Sequence, residues 1–255
     1  SPAMMRAFGR AVETLGGLYY TAEDVGVSPD DMALAAQETR YAVGLSQGSG
    51  DPSPWTAEGV FRCLRVGARH VFGSDDLAGR RVLVQGLGHV GLSLAEKLHR
   101  AGADLIVTDI HAPALADAGK RLGARICAAG AVFDQPAEIL APCALGGVLT
   151  PDAADRLQAR LICGAANNQL ATPGIAARLH RRGIVYLPDY VVNAGGIISV
   201  ASEIHGQDDA WRQSRLEAIA GRMQTLLQRA EAEDRTTTDL ADDMVRAILA
   251  GREVV

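Results

Sequence analysis

Three glycines and one acid carry the clearest chemical signal in this sequence. Gly86, Gly88 and Gly91 follow an apolar run with the spacing G-x-G-x-x-G, and Asp109 ends the next apolar run. Glycines at this spacing permit a tight turn from strand to helix, let the backbone approach a pyrophosphate, and bring the helix close to the strand. The N-terminus of that helix directs free N–H groups at the phosphates. The pattern therefore predicts a dinucleotide-binding turn.

The acid at the end of the second run indicates which dinucleotide is bound. The Asp109 carboxylate can accept hydrogen bonds from ribose hydroxyls, and its charge would repel a 2′-phosphate, so NAD is favoured over NADP. His89 and Val90 lie within the turn and belong to the predicted cofactor-binding set. The alternative is a βαβ unit whose glycines serve only turns and packing. The glycine spacing alone does not separate the two, and the flanking strands, helix and acid favour the binding site.

The elements around this turn alternate. Apolar runs predict strands near 81–86, 104–109, 124–127, 139–142, 160–164 and 184–187, and helical patterns lie near 90–101, 112–122, 151–158 and 173–182. Strands that alternate with helices predict an α/β fold with a Rossmann-like, doubly wound parallel sheet. The two ends of the chain are mainly helical in pattern, which predicts a remnant of a second α/β domain there. The helical patterns lie at 3–15, after Ser28-Pro29, from Ser53-Pro54 to about 72, and almost continuously from 193, with breaks near 206 and 235.

The chain divides accordingly into three predicted parts. Residues 1–47 are the remnant of an N-terminal substrate domain, residues 48–206 form the NAD-binding domain, and residues 207–255 are helices that return to the first part. The boundary near 47 rests on the Gly-, Ser- and Pro-rich segment 46–53, which has the composition of a linker.

Composition excludes several classes of protein. The net charge of −5 gives no reason to expect nucleic acid as a partner, and no apolar run is long enough to span a membrane. The N-terminus lacks the apolar centre of a signal peptide, so we expect a cytoplasmic protein. The four cysteines form no C-x-x-C pair and the six histidines are scattered, so we expect reduced thiols and no metal site.

Four further segments place glycines or polar residues where predicted strands end or helices begin. They are TAEDVG at 21–26, APCALGG at 141–147, CGAANNQ at 163–169 and PDYVVNAGG at 188–196. In open α/β sheets, ligands bind outside the carboxyl ends of the strands. Each segment also has a plainer interpretation: a turn acid, a glycine turn, amides that cap a helix, and core packing, respectively.

In this order, these segments resemble the Glu/Leu/Phe/Val dehydrogenase family, and most of all its leucine, valine and phenylalanine dehydrogenase branch. VQGLGHVG at 84–91 and PSPWTAEGV at 52–60 complete the set of motifs, which covers nearly the whole chain. The resemblance implies two domains with a cleft between them, a homo-oligomer, and NAD-dependent oxidative deamination of an L-amino acid to the 2-oxo acid and ammonia.

The resemblance also implies roles for individual residues. Asp24 matches the acid that exchanges protons with the substrate amine, and Asn167 matches an amide near the substrate carboxylate. Because the side-chain pocket is apolar and uncharged, we expect a branched aliphatic amino acid such as leucine or valine rather than glutamate. The pocket positions are Ala22, Ile197 and Val200, and the cofactor positions beyond the glycine turn and Asp109 are Thr56, Ala144 and Ala165.

The chain departs from the family in its lysines. Family members use two lysines of the N-terminal domain, one for the substrate carboxylate and one to activate water. Here the two lysines, Lys97 and Lys120, fall in helices of the nucleotide domain. We therefore expect most of the substrate domain to be missing from this sequence. An NAD-binding module without catalysis is the alternative. A 2-hydroxy-acid dehydrogenase would need a catalytic His and Arg, and no His here lies in such a motif.

Overall fold

The structure is a computed structural model that describes residues 1–23, 26–45 and 50–251. Contacts divide the chain into two compact units. The first comprises Ser1–Trp55 and Gly196–Arg215, and the second comprises Thr56–Gly195 and Leu216–Val255. The boundaries expected from the sequence, near 47 and 206, remain predictions.

The second unit is built on a six-stranded sheet. Its strands are β1 (Arg81–Gln85), β2 (Asp104–Thr108), β3 (Arg125–Ile126), β4 (Ile139–Pro142), β5 (Leu161–Ile162) and β6 (Val185–Tyr186). They run parallel in the order β3-β2-β1-β4-β5-β6. The order reverses between β1 and β4, which is the point where such sheets bind ligands. The α/β Rossmann-like fold predicted from the sequence is confirmed.

The sheet is buried because helices cover both of its faces, so its central strands are apolar throughout rather than alternating. All four residues of β4 are buried, as are the three central residues of β1. Leu83, Leu140 and Ile162, on three neighbouring strands, belong to one core cluster. This rigid centre holds the strand ends, and the turns that follow them, in fixed positions.

The helices are α1 (Pro2–Thr14), α2 (Pro29–Ala36), α3 (Ser53–Phe72), α4 (His89–Arg100), α5 (Ala112–Leu122), α6 (Pro151–Arg156), α7 (Gly174–Arg181), α8 (Asp189–Val192), α9 (Gly195–Ile204), α10 (Asp209–Glu233) and α11 (Thr237–Leu249). Where the sequence predicts both ends of a helix, the observed ends lie within two residues of them, and the short α8 was not predicted as a separate helix. Thr150 caps α6 by accepting the N–H of Ala153, and Gly123 ends α5 with a φ of +62°. A 3₁₀ helix over Ala129–Asp134 has no counterpart in the prediction.

The first unit joins helices to an extended segment. Ser28 accepts the N–H of Asp31, whose carboxylate in turn accepts the N–H of Ser28, so a capping box begins α2. The N–H and the hydroxyl of Ser28 both donate to the Asp31 carboxylate, and these two hydrogen bonds lower the pKa of Asp31. A parallel bridge pairs Thr21 with Ala42. Met5, Met32, Ala35 and Ala42 form the core of this unit.

Among the described residues, none of the helices combines the length and the apolarity that crossing a bilayer requires.

Candidate functional site

The first turn of the candidate site follows β1. Gly86 has a φ of +99°, which favours glycine, and its N–H donates to the carbonyl of Thr108 on β2. A Cβ at Gly86 would lie 2.8 Å from the N of Ala144 and 2.9 Å from its Cα. The glycine therefore lets the turn after β1 lie directly on the turn after β4. Ala144, one of the predicted cofactor positions, is exposed beside it.

The other two glycines of the motif have different environments. A Cβ at Gly91 would overlap the carbonyl of Gly86, so α4 can pack on the strand only with glycine there. A Cβ at Gly88 would have no atom within 4 Å, so the backbone is open on that side. Gly88 caps α4 without a side-chain hydrogen bond, and exposed His89 begins the helix, followed by half-buried Val90. No side chain of the N-cap residue occupies this helix N-terminus, which therefore fits a pyrophosphate.

Asp109 follows β2 and faces the glycine turn. Its Oδ2 accepts the N–H of Leu87 at 2.5 Å, and its Oδ1 accepts the N–H of His111 at 2.7 Å. Each carboxylate oxygen has a second lone pair, and the residue is half-exposed. The carboxylate is therefore fixed by the backbone and can still accept hydrogen bonds from a ribose. Together with the glycine turn, it fits a dinucleotide.

The turns after β4 and β5 are also in close contact. A Cβ at Gly146 would overlap the carbonyl of Asn167, and the N–H of Gly147 donates to the carbonyl of Asn168 at 2.7 Å. The structure thus brings the two glycine-containing turns together at one edge of the sheet, next to the turn after β1.

Hydrogen bonds from one side chain, that of Asn193, fix the turn after β5. Asn193 donates from Nδ2 to Oδ1 of Asn167 at 2.6 Å and to the carbonyl of Ala165 at 3.1 Å. This one side chain joins two predicted site positions, the exposed Asn167 and the half-buried Ala165. The amide N–H₂ of Asn167 remains directed away from that bond, since its oxygen is the atom that accepts it.

Asp189 organises the same turn, although the sequence assigned it no role. It is 6% exposed, and its Oδ2 accepts the N–H of Asn168 at 2.7 Å. Its Oδ1 accepts the hydroxyl of Tyr186 at 2.5 Å. Burial and this hydrogen bond raise the pKa of Tyr186. The only signal in the sequence was an acid directly after a predicted strand and before an apolar helix.

The predicted substrate positions belong mostly to the first unit. Asp24 lies outside the described residues. Ala22 is half-buried, and Val200 is 7% exposed on α9, whereas Ile197 on the same helix is 67% exposed. In the second unit, Thr56 is half-buried on α3.

The two lysines take positions that do not suit acid–base chemistry on a substrate. Lys97 donates to Glu58 at 2.7 Å. Burial would raise the pKa of Glu58, but the hydrogen bonds from Lys97 and Arg62 outweigh it and lower the pKa. Lys120 is exposed on α5. Residues 1–23, 26–45 and 50–251 contain no group of His, Cys, Asp and Glu side chains that could hold a metal ion.

Comparison with known proteins agrees with this fold and shows the family of the chain. The family model described as Glutamate/Leucine/Phenylalanine/Valine dehydrogenase matches residues 111–247, and the chain belongs to that family. It is 43% identical to a leucine dehydrogenase of Bacillus subtilis (strain 168) over 88% of this chain and 63% of that protein. It is 37% identical to a phenylalanine dehydrogenase of Lysinibacillus sphaericus, over 99% of this chain and 68% of that protein.

Among solved structures, the chain is similar to L-tryptophan dehydrogenase from Nostoc punctiforme. The TM-score is 0.80 at 35% sequence identity, over 95% of this chain and 71% of that chain. The relatives are thus longer than this sequence, which spans 63% of the Bacillus subtilis protein.

The two hydrogen bonds to Asp189 give a direct test of how the amide turn is held. Asp189→Ala leaves the N–H of Asn168 and the hydroxyl of Tyr186 without their acceptor, and should lower the free energy of unfolding by about 3 kcal/mol. Asp189→Asn keeps one carbonyl oxygen for Asn168, while its N–H₂ can donate to the tyrosine oxygen, and should cost about half as much. Urea unfolding measures both. Equal losses for the two variants would contradict this account.

Proposed function

We propose that the protein catalyses NAD-dependent oxidative deamination of an L-amino acid to the 2-oxo acid and ammonia, with branched aliphatic amino acids favoured. The observation that carries the proposal is the packing of three turns at one edge of a parallel sheet, with the turn after β4 in contact with the turns after β1 and β5. The turn after β1 has an open helix N-terminus suited to a pyrophosphate, and the turn after β5 presents the amide of Asn167. Membership of the dehydrogenase family supports oxidative deamination as the class of reaction.

In this proposal the cofactor lies along the glycine turn. Gly88 lets the backbone approach the pyrophosphate, the N–H groups at the start of α4 bind its oxygens, and Asp109 accepts the ribose hydroxyls. Thr56, Ala144 and Ala165 line its remaining length. Bound NAD supplies the acceptor for the hydride that the amino acid loses. The fixed negative charge of Asp109 is the reason for preferring NAD to NADP.

The substrate's groups are assigned to the residues that the family resemblance indicates. Asn167 binds the carboxylate through its amide N–H₂, whose orientation Asn193 fixes through the oxygen. Asp24 exchanges protons with the amine. Ala22, Ile197 and Val200 surround the side chain and offer no charge, so a glutamate side chain would be buried without a partner.

The alternative is a protein that binds NAD without turning over an amino acid. The placement of the lysines favours it: Lys97 is paired with Glu58, and Lys120 is exposed on a helix of the nucleotide unit. The two candidates differ in whether NADH forms in the presence of an amino acid, and both predict that NADH binds.

We further propose a cytoplasmic homo-oligomer whose small-molecule partner is the amino acid. Exposed apolar side chains in the first unit support an interface there. Met4 and Phe8 lie one turn apart on α1, and Leu15 and Leu18 follow the helix. Leu18 is 92% exposed.

Cofactor preference is tested by Asp109→Asn, which removes the negative charge beside the ribose. NADPH binding should strengthen relative to NADH, and the ratio of the two dissociation constants should change by about tenfold. Titration calorimetry on the chain measures both constants. Asp104→Asn, at the opposite end of β2, is the control for the lost charge, because it is exposed and distant from the turn. If the ratio of the NADPH and NADH dissociation constants is unchanged in Asp109→Asn, this residue does not discriminate between the two riboses.

Turnover is tested in the full-length gene product by NADH formation from L-leucine or L-valine at alkaline pH. Asp24→Asn should lower kcat by about 100-fold or more, because a group that exchanges a substrate proton contributes that much. The dissociation constant of NADH should stay within about twofold. Asp30→Asn, an exposed acid at the start of α2, should leave kcat unchanged. NADH binding without amino-acid-dependent turnover would favour the alternative.

A further inference from the structure

Gly44 lies between two of the predicted pocket residues, although it was not itself predicted to belong to the site. A Cβ at this position would lie 3.9 Å from the Cβ of Ala22, 3.9 Å from the carbonyl oxygen of Gly50 and 4.0 Å from Cγ2 of Val200. These are ordinary van der Waals distances, so an added methyl group would fill the space between the two side chains without a clash. The missing side chain of Gly44 therefore leaves room that Ala22 and Val200 border.

Hydrogen bonds hold Gly44 at this distance from both side chains. The N–H of Thr21 donates to the carbonyl of Tyr41 at 2.9 Å, and the N–H of Val43 donates to the carbonyl of Thr21 at 2.8 Å. This bridge keeps the segment that ends at Gly44 alongside Ala22.

The second connection runs to α9. The N–H of Gly44 donates to Oε2 of Glu203 at 3.0 Å. Glu203 lies three residues after Val200 on the same helix, so the two side chains are neighbours on one face. The bridge and this bond together fix Ala22, Gly44 and Val200 around the space within the first unit, and the carbonyl of Gly50 also borders it.

We propose that Gly44 determines the size of the side chain that the protein accepts. The inference rests on the proposed function, because Ala22 and Val200 border a substrate pocket only if the protein binds an amino acid. A single added methyl group at Gly44 would occupy the volume that the terminal methyl groups of a branched aliphatic side chain need. One methylene of pocket volume changes discrimination between substrates by about 10- to 200-fold.

Alanine at position 44 could act through backbone strain or through the volume of its methyl group, and a control has to separate the two effects. Gly44 has a φ of +74°, so alanine there introduces strain as well as volume. Gly16, also in the first unit, has a φ of +58°, and a Cβ there would meet no atom within 4 Å. Gly16→Ala therefore imposes the same kind of strain with no loss of pocket volume, and it is the matched control.

The test compares kcat/KM for L-2-aminobutyrate, L-valine and L-leucine in the full-length gene product. Gly44→Ala should lower the ratio of leucine to 2-aminobutyrate by about tenfold or more, and Gly16→Ala should leave it unchanged. Adding Ala22→Gly to Gly44→Ala removes a methyl group 3.9 Å from the one introduced, and should restore part of the ratio. If Gly44→Ala does not fold, Gly44→Asn replaces it, because asparagine adopts positive φ more readily.

The possible failures are distinguishable. A wild-type protein that oxidises no amino acid would contradict the proposed function, and the inference with it. A wild-type protein that is active, with an unchanged ratio in the position-44 variant, would overturn the inference alone. Equal falls in the Gly44 and Gly16 variants would also overturn it, because strain rather than volume would then be the cause.

Discussion

Backbone packed directly on backbone at the carboxyl edge of the parallel sheet is the constraint on which the proposed cofactor site depends. Gly86 lies against Ala144, Gly91 against the carbonyl of Gly86, and Gly146 against the carbonyl of Asn167. No side chain can enter these contacts without separating the turns that follow β1, β4 and β5. The glycines are thus needed for packing, and their packing exposes the backbone N–H groups at the start of α4.

Two carboxylates fix the turns that this packing brings together. Asp109 accepts the N–H of Leu87 in the glycine turn, and Asp189 accepts the N–H of Asn168 in the amide turn. Hydrogen bonds to a charged acceptor are stronger than those between neutral groups, so each turn is held in one conformation before any ligand binds. Asp189 is buried and accepts hydrogen bonds from the Asn168 backbone and the Tyr186 hydroxyl, whereas Asp109 is half-exposed and can also accept hydrogen bonds from a ligand.

Local patterns in the sequence were sufficient for the elements and for the glycine turn. The strands at 81–86 and 104–109, with the helix between them, could be predicted because apolar runs, glycine spacing and the following acid are all local signals. The 3₁₀ helix at 129–134 could not, since its residues are also compatible with a loop.

Contacts across the sequence could not be predicted either. Asn193 reaches Asn167 from 26 residues away, and the N–H of Gly44 reaches Glu203 across 159 residues. Nothing in either segment alone indicates its partner. Ile197 and Val200 share a helix, yet one is exposed and the other buried, and only their positions in the fold separate them. The sequence could name the residues of the candidate site more readily than the bonds that position them.

The central claim is that the turn after β1 binds a dinucleotide through its backbone, and a crystal structure of this chain with NADH tests it most directly. The account predicts the pyrophosphate against Gly88 and the first N–H groups of α4, with the adenosine ribose hydroxyls at the Asp109 carboxylate. Dinucleotide bound elsewhere on the chain, or bound with its ribose away from Asp109, would contradict it.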